Sequence, residues 1–393
     1  MKYLYIILLI TLSAIAPLSA QNSMNSVLDS IEQNNTTLKA LRETAEAQKL
    51  ENRTDIYLSD PEIGFNYLWG NPSSVGTRQD ISIKQNFDFP TISGLKSKVA
   101  NEQNRLIEWQ YKSDRMNILL EAKQYYLDLI YYNSLLKELS VRKEHAETIA
   151  ISQKERLDRG DGNILELNNV QLNLSTIQGE ITRIETERNT AISNLIRLNG
   201  GKEIVSTESV FQAIELPVNF DNWYETASEK NPVLAFVKQE IEVSKKQVSL
   251  SKSMGLPTFS AGYMSENVVG QRYQGVSVGI SVPLWSNKNK VKQAKSAVRA
   301  AESRQTNIKQ QLYSQLQTLY NRTSGLKNVA DNYRAALSSA NNSILLKKAL
   351  DAGEISLLDY IVEIGLYYNT INQALQAELD YQKAFAELSA AEL

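Results

Sequence analysis

Residues 275–283 have the sequence GVSVGISVP, in which apolar Val or Ile alternates with Ser or Gly at every second position. Successive side chains of a β-strand point to opposite faces, so this alternation predicts a strand with one apolar face and one small, polar face. Its length is close to the roughly 9–11 residues that a tilted strand needs to cross a bilayer. The stretch therefore predicts a strand that is suited to a membrane.

Three further runs, residues 62–69, 80–89 and 258–265, show the same alternation. Their apolar positions predict the face that contacts lipid, while Gly, Ser and Asn on the other face suit a water-filled lumen. Aromatic residues near the run ends, among them Trp69 and Trp285, occupy the positions of interfacial aromatic belts. The predicted lipid-facing residues are Ile63, Phe65, Ile81, Ile83, Phe259, Tyr263, Val278 and Ile280.

The same runs also fit two ordinary hairpins in a soluble domain. However, an isolated hairpin is at best marginally stable in water, and the sequence has no other convincing strands to complete a soluble sheet. In lipid, only a closed barrel satisfies every backbone hydrogen bond of a sheet, and four strands are too few to close one. If these strands lie in a membrane, several chains must therefore share one barrel.

The strands belong to a duplicated unit. Pro90 and Pro283 end the second alternating run of each copy, and Gly160 and Gly353 end the long helical stretch that follows. Both pairs of residues are 193 positions apart. A repeat of this kind indicates two copies of one structural element rather than two unrelated domains.

Long helical stretches follow each pair of strands. Residues 92–159 and 285–352 contain no proline, and at about 1.5 Å per residue each helix would extend roughly 100 Å. Apolar and small residues recur in both at alternating intervals of three and four, which is typical of a coiled-coil seam. The remaining predicted helices cover residues 27–58, 164–198, 223–254 and 355–391.

Together these features predict a mostly α-helical fold with a small β part, built from a duplicated helix-strand-strand-long helix-helix unit. The basic Lys2, an apolar run and the small Ala20 form the pattern of a secretory signal peptide. The expected divisions are a signal peptide at residues 1–20, a first repeat at 21–199, a linker at 200–221 and a second repeat at 222–393. The strands are expected at about 61–70, 80–90, 257–265 and 273–283, with helix turns near 160 and 353.

Composition excludes several classes of function. The 393-residue chain has no cysteine, which excludes disulfides, thiolate metal sites and a cysteine nucleophile. Its formal net charge of −2 gives no electrostatic basis for binding nucleic acid. The sequence also lacks a glycine-rich phosphate loop, a nucleophile elbow and the Cys and His spacings of metal sites. It therefore predicts neither an enzyme nor a bound cofactor or metal.

Several short motifs occur along the chain, and most of them have a counterpart in each copy. They are Asn35-Thr36-Thr37-Leu38 and Asn231-Pro232-Val233-Leu234, Gly255-Leu256-Pro257 before the third strand, Phe87-Asp88-Phe89-Pro90 and Ser281-Val282-Pro283-Leu284 at strand ends, and, at the helix turns, Gly160 followed by Leu165-Glu166-Leu167 and Gly353-Glu354-Ile355-Ser356-Leu357-Leu358-Asp359-Tyr360. Each motif is weak alone. Taken together, in this order, duplicated and preceded by a signal peptide, the motifs resemble the TolC family of outer-membrane efflux proteins. The resemblance covers nearly the whole mature chain.

The resemblance implies a homotrimer in which four strands per chain form a 12-stranded outer-membrane β-barrel, continued by a periplasmic α-helical coiled-coil tunnel. It also implies docking of a periplasmic adaptor (membrane fusion) protein and, through it, an inner-membrane transporter that supplies energy. Many relatives carry a lipidated cysteine at the mature N-terminus, whereas this chain has no cysteine. Anchoring would therefore depend on contact between the barrel and outer-membrane lipid.

By the same resemblance, the helix turns narrow the periplasmic entrance and dock the adaptor. The candidates for docking are Gly160, Leu165, Gly353 and Leu357, which place an apolar leucine beside each turn. In a trimer each acidic residue near the turns would appear three times on a ring, and such rings favour cations. The candidates for this pore entrance are Asp158, Asp161, Asp351, Glu354 and Asp359. The alternative is that these are solvated cap residues, since Asp and Glu favour helix N-termini.

These expectations describe a passive exit duct of a tripartite efflux or type I secretion system, located in the outer membrane and extending into the periplasm. The sequence leaves open whether the exported substrate is a drug, a metal ion or a polypeptide, and which pump drives export. The alternative is a soluble periplasmic coiled-coil scaffold without channel activity. A scaffold would wash off membranes with carbonate, whereas a barrel would need detergent.

Overall fold

The computed structural model describes residues 24–339 and 343–393, so the expected signal peptide at residues 1–20 lies outside the described residues. In the described part the strands are β1 (Glu62–Trp69), β2 (Thr77–Phe87), β3 (Thr258–Val268) and β4 (Gln271–Ser281). The helices there are α1 (Met24–Asn34), α2 (Thr36–Glu51), α3 (Thr91–Asp158), α4 (Ile164–Leu198), α5 (Phe220–Lys230), α6 (Pro232–Ser253), α7 (Lys290–Ser339), α8 (Ser343–Asp351) and α9 (Leu357–Leu388).

The chain divides into two compact units. Among the described residues, unit one contains 24–33 and Tyr125–Gln212, and unit two contains Asn34–Gln124 and Ala213–Leu393. Residues 91–124 of α3 therefore belong to unit two, and residues 125–158 belong to unit one.

In unit one, α4 carries a buried stripe at heptad intervals. Val170, Ile177, Ile184 and Ala191 are buried and lie seven residues apart. Seven residues are almost two helical turns, so these side chains lie on one face of the helix. This is the residue spacing of a coiled-coil seam.

Polar side chains hold the irregular segment after α4 against α3 in unit one. The hydroxyl oxygen of Tyr126 lies 2.9 Å from both the Ser206 hydroxyl and a Glu208 carboxylate oxygen. Burial raises the pKa of Tyr126, so its hydroxyl stays protonated and donates to Glu208. Asn133 donates to the Glu208 carbonyl at 2.8 Å, and Arg188 in turn donates to the Asn133 side chain at 2.6 Å. These bonds satisfy polar groups in a segment that has no regular ladder.

In unit two, α7 packs against α6 and α9. Ala330 of α7 forms a buried cluster with Ala377 and Tyr381 of α9. A second cluster, here named the aromatic cluster, contains buried Tyr224, Leu316 and Leu388, with Phe220, Trp223, Tyr313 and others packed around them. Across residues 24–339 and 343–393, no helix is both long and apolar enough to cross a membrane.

The four strands form one antiparallel sheet in unit two, in the order β1-β2-β3-β4. Ile83 of β2 pairs with Ile63 of β1 and with Tyr263 of β3, and Tyr263 pairs with Val276 of β4. The β2–β3 ladder thus joins the strands of the first repeat to those of the second. β1 and β4 are the edges of the sheet formed by the described residues.

Two helices that were expected to be continuous are each divided at an asparagine. Asn35 separates α1 from α2, and Asn231 separates α5 from α6. Both asparagines have extended backbones, and their side-chain oxygens accept hydrogen bonds from the amides of Leu38 and of Val233 and Leu234. An N-cap residue leaves the helical conformation, so each asparagine ends one helix as it starts the next.

The second long helix begins at Lys290 rather than at Trp285 as expected. The Lys288 amide donates to the Trp285 carbonyl at 3.0 Å in a turn that precedes the helix. Asn289 then adopts a φ of 64°, in the left-handed region. This conformation interrupts a right-handed helix, and asparagine tolerates it better than most residues.

We predict that Asn231→Ala destabilises unit two by about 1 kcal/mol, because two backbone amides lose a buried acceptor. The apparent Tm, followed by the helical circular dichroism signal, should fall by a few degrees (~2–4 °C). The matched control is Asn307→Ala on the exposed face of α7, where alanine is the better helix former and the Tm should not fall. Equal Tm values for the two variants would contradict the capping role.

Candidate functional site

The sheet presents one continuous apolar face. The pairing register places Ile63, Ile83 and Tyr263 side by side across three strands, and Phe259 opposite Ile280. These side chains are exposed, and Val278 on the same face is 84% exposed. All eight residues expected on the apolar side share this face: Ile63, Phe65, Ile81, Ile83, Phe259, Tyr263, Val278 and Ile280. An exposed apolar area of this kind marks a contact with a membrane or another chain.

The opposite face of the sheet carries small and polar side chains. Gly262 lies between Lys84 and Ser277, and a Cβ atom added to Gly262 would lie 2.5 Å from the Ile83 carbonyl oxygen. Only glycine therefore fits this position without a backbone shift. Added Cβ atoms at Gly64 and Gly279 would also meet neighbouring serine hydroxyls at 2.7 and 2.6 Å. Small residues let the strands approach closely on this face.

Charges on the polar face are concentrated near the ends of the hairpins. The Arg78 guanidinium lies 2.9 Å from a carboxylate oxygen of Asp80 on its own strand and 2.9 Å from one of Glu266 on β3. These exposed ion pairs are individually weak, on the order of 0–1 kcal/mol. They connect the strands of the two repeats on the side opposite the apolar face.

The first helix turn, in unit one, follows α3 and is closed by Gly160. Gly160 has a φ of 83°, its amide donates to the Leu157 carbonyl, and the Asp161 amide donates to the Arg156 carbonyl. This pair of bonds is the Schellman arrangement, which favours glycine because its left-handed residue has no Cβ to clash. The Leu165 side chain that follows is 65% exposed.

The second helix turn, in unit two, has the same closure. Gly353 has a φ of 75°, its amide donates to the Leu350 carbonyl, and the Glu354 amide donates to the Ala349 carbonyl. The next helix, α9, starts with a capping box in which Ser356 and Asp359 bond each other's backbone amides. Both ends of the turn are therefore fixed by hydrogen bonds.

Leu357, which is a docking candidate in the sequence, is buried here, with only 6% of its surface exposed. It shares a buried face of α9 with Tyr360 and Ile364, at helical spacing. Leu358 is 61% exposed instead. It lies 193 positions after Leu165, so the repeat itself marks Leu358 as the counterpart of the exposed leucine in the first turn.

The acidic residues near the turns have different surroundings. The Asp359 carboxylate bonds the Ser356 hydroxyl and amide, at 2.6 and 3.3 Å, as a cap. Asp351 forms an ion pair with Lys347 at 2.9 Å, and it adds to burial in raising the pKa of Tyr360. Of the five candidate acids, Asp158, Asp161 and Glu354 are exposed and have no ion pair to any described residue. In residues 24–339 and 343–393, no cluster of acidic residues and histidine is arranged to hold a metal ion.

The sequence is similar to proteins that are named for efflux and for secretion. Residues 223–391 match the family model for outer membrane efflux proteins. Over 321 residues the chain is 23% identical to the alkaline protease secretion protein AprF of Pseudomonas aeruginosa. The match covers 77% of this chain and 66% of that relative, so it spans just under two thirds of the relative's length.

Solved structures share the fold over almost the whole chain. The Campylobacter jejuni CmeC outer membrane channel has a TM-score of 0.74 at 16% identity, covering 94% of this chain and 85% of that one. CusC has a TM-score of 0.76 at 14% identity, with 95% and 92% covered. The open-state MtrE outer membrane channel of Neisseria gonorrhoeae has a TM-score of 0.71 at 14% identity, with 94% and 88% covered. Residues 223–391 thus match the family of outer membrane efflux proteins, and the chain shares the fold of these outer membrane channels.

Proposed function

We propose that this chain is the outer-membrane channel component of an efflux or type I secretion system, acting as a passive exit duct that extends into the periplasm. The observation that carries this proposal is an exposed apolar sheet face combined with two sheet edges left open by the described residues. Lipid removes the cost of exposing the apolar face, and strands from other copies remove the open edges.

The family supports this function. Its members are efflux proteins of the outer membrane, a class of channels rather than enzymes. One relative is named for protease secretion, and two structural neighbours are named as outer membrane channels. We accordingly assign this chain to transport and keep both efflux and secretion as routes.

In this proposal three chains combine their strands into one 12-stranded barrel, and the helices line the tunnel. A periplasmic adaptor docks at the helix turns, and an inner-membrane transporter supplies the energy. Each unit has its own proposed docking position, Leu165 in unit one and Leu358 in unit two. Each leucine is exposed and lies beside a turn that is fixed by hydrogen bonds. The acids Asp158, Asp161 and Glu354 are proposed for the pore entrance, since they are exposed and have no ion-pair partner among the described residues.

We predict that Ile83→Arg and Ile280→Arg reduce the amount of folded protein in the outer membrane. Each places a charge on the apolar face, where arginine costs roughly 2–4 kcal/mol near the bilayer midplane. The matched controls Ser82→Arg and Ser281→Arg place the same charge on the polar face and should be tolerated. Outer-membrane levels measured by fractionation that fall equally for both faces would contradict the lipid assignment.

The duplication predicts how β4 of one copy pairs with β1 of the next. Equivalent positions of β2 and β4 are 193 residues apart, as Pro90 and Pro283 are. Equivalent positions of β1 and β3 are 196 apart, as are Pro61 and Pro257, which precede these strands. Within the chain, Phe87 pairs with Phe259. Applying the two offsets to this pair gives Ile280 opposite Ile63 of the neighbouring copy. The next pairs on this face are Val278 with Phe65 and Val276 with Tyr67, so the apolar face continues across the junction.

We predict that Ile280→Cys together with Ile63→Cys yields disulfide-linked dimers and trimers on non-reducing gels of oxidised outer membranes. Directly opposed strand residues have Cα atoms about 4.5–5.5 Å apart, within the disulfide range. The control pair Ile280→Cys with Phe65→Cys is two residues out of register, about 7 Å further along the strand, and should link poorly. Preferential linking of the control pair would refute this register while leaving the shared barrel intact.

We predict that Leu165→Glu combined with Leu358→Glu abolishes export and crosslinking to the adaptor, because each change places a charge at an apolar docking position. The amount of trimer in the outer membrane should stay unchanged, since both side chains are exposed. Leu357→Glu should instead lower the amount of folded trimer, because Leu357 is buried.

Leu172→Glu is the matched control for the turn variants. Leu172 is an exposed leucine on the same face of α4, two helical turns beyond Leu165. This variant should retain export. Normal export by the Leu165 and Leu358 double variant would place docking elsewhere.

A further inference from the structure

A cleft of about 670 Å³ lies in unit two among α3, α5, α7 and α9. We name it the helix cleft. Its volume falls in the range of small-molecule sites, roughly 300–1,000 Å³. It borders the aromatic cluster and shares Trp223, Leu316 and Leu388 with it. The cleft contains neither the helix turns nor any residue of the sheet.

The walls of the helix cleft are mainly apolar. Leu120 of α3, Trp223 of α5 and Leu319 of α7 face it, together with Leu316 and Leu388. Leu316 and Leu388 are buried in the aromatic cluster, so their positions are fixed by packing. A flat or branched apolar group of a ligand would be removed from water against these side chains.

Glu387 is the only ionisable residue among the described residues that line the helix cleft. One of its carboxylate oxygens accepts a hydrogen bond from Gln124 at 3.1 Å. The other lies 4.0 Å from the Arg322 guanidinium, at the limit of an ion pair. The carboxylate is thus oriented by an amide and only weakly neutralised, which favours a positively charged group in the cleft.

Asn231 supplies a fixed hydrogen-bond donor at the same cleft. Its side-chain oxygen is occupied in capping α6, through the amides of Val233 and Leu234. The orientation of the amide group is therefore set, and its nitrogen has no hydrogen-bond partner among the described residues. Asn231 is 6% exposed and lines the cleft. A ligand with a carbonyl or ether oxygen would satisfy this donor.

We propose that the helix cleft binds an amphipathic organic cation, with its apolar body against the leucines and Trp223, its charge at Glu387 and a hydrogen-bond acceptor at Asn231. The cleft belongs entirely to unit two, so this inference does not depend on transport. It gives the helical part of the molecule a ligand site separate from the barrel and the helix turns.

The test uses the full-length protein in lipid nanodiscs and rhodamine 6G, a cationic amphipathic dye. Dye binding is followed by fluorescence anisotropy, and quenching of Trp223 is followed in a Trp69→Phe, Trp109→Phe, Trp285→Phe background, which leaves one of the four tryptophans. Fluorescein, an anionic dye with a similar ring system, serves as the ligand control. We expect saturable binding and quenching with rhodamine 6G and neither with fluorescein.

Glu387→Gln removes the charge with little change of shape and should weaken rhodamine 6G binding roughly three- to tenfold. Ala227→Trp fills the cleft from α5 and should abolish binding. Glu229→Gln, an exposed α5 position outside the cleft, is the matched control and should bind like the original protein.

Three outcomes would overturn the proposal. Unchanged binding in Glu387→Gln and Ala227→Trp would show that the dye partitions into lipid. Equal binding of fluorescein would show that the carboxylate does not select charge. A complete absence of binding would show that the cleft is closed in the assembled protein, for example by a neighbouring copy. Trimer formation and outer-membrane level should be normal in all these variants, so failure here is distinct from failure of the duct assignment.

Discussion

The backbone hydrogen bonds of the β2–β3 ladder join the two repeats. They pair the last strand of the first repeat with the first strand of the second, so two halves of the chain that are far apart in sequence share one sheet. In lipid an unpaired backbone group costs several kcal/mol, because no water replaces the missing partner. In the proposed barrel the same ladder continues at both open edges, and another copy of the same sheet supplies edges of the right kind. Oligomerisation would then be a consequence of having only four strands.

The two repeats agree where pairing and turn closure restrict them, and differ elsewhere. Gly160 and Gly353 close their helices with the same pair of backbone bonds. The hairpins between the strands are different, since residues 70–76 separate β1 from β2 whereas only Val269 and Gly270 separate β3 from β4. A loop outside the ladder has few backbone partners to satisfy, so its length changes at little cost. Differences between the copies thus concentrate at positions that neither the sheet nor the helix closures fix.

The sequence is sufficient to predict that the four strands exist and which of their faces is apolar, because period-two alternation identifies both without knowledge of the neighbouring strands. It is less informative about which side chains of a helix face solvent. Leu357 and Leu358 are adjacent leucines, and one residue rotates a side chain by about 100° around a helix. Which of them is exposed depends on where α9 starts, and Ser356 sets that start through its capping box with Asp359. The spacing of the repeat identifies the exposed leucine. Leu358 lies 193 positions after Leu165, as Gly353 lies 193 positions after Gly160, whereas Leu357 lies 192 positions after Leu165.

The helix breaks at Asn35 and Asn231 are also difficult to predict, because the helical spacing of apolar residues continues on both sides of each asparagine. The residue type is nevertheless a signal, since asparagine is a favoured N-cap and Pro232 is suited to the first position of the helix that follows. The helix cleft gives no signal in the sequence at all. Glu387, Asn231 and Leu120 are distant in the chain and meet only through the packing of α3, α5, α7 and α9.

Rigid turns suit a surface that has to recognise another protein. Each turn begins with a Schellman closure and ends with a capped helix, so its backbone is ordered before any partner arrives. Docking on a pre-ordered surface loses less conformational entropy than docking on a loop that must fold as it binds. Two exposed leucines contribute only a small apolar area per chain, so a partner gains affinity by contacting several copies at once. A ring of identical, rigid turns supplies that multiplicity, which is why the proposed docking surface and the proposed shared barrel support each other.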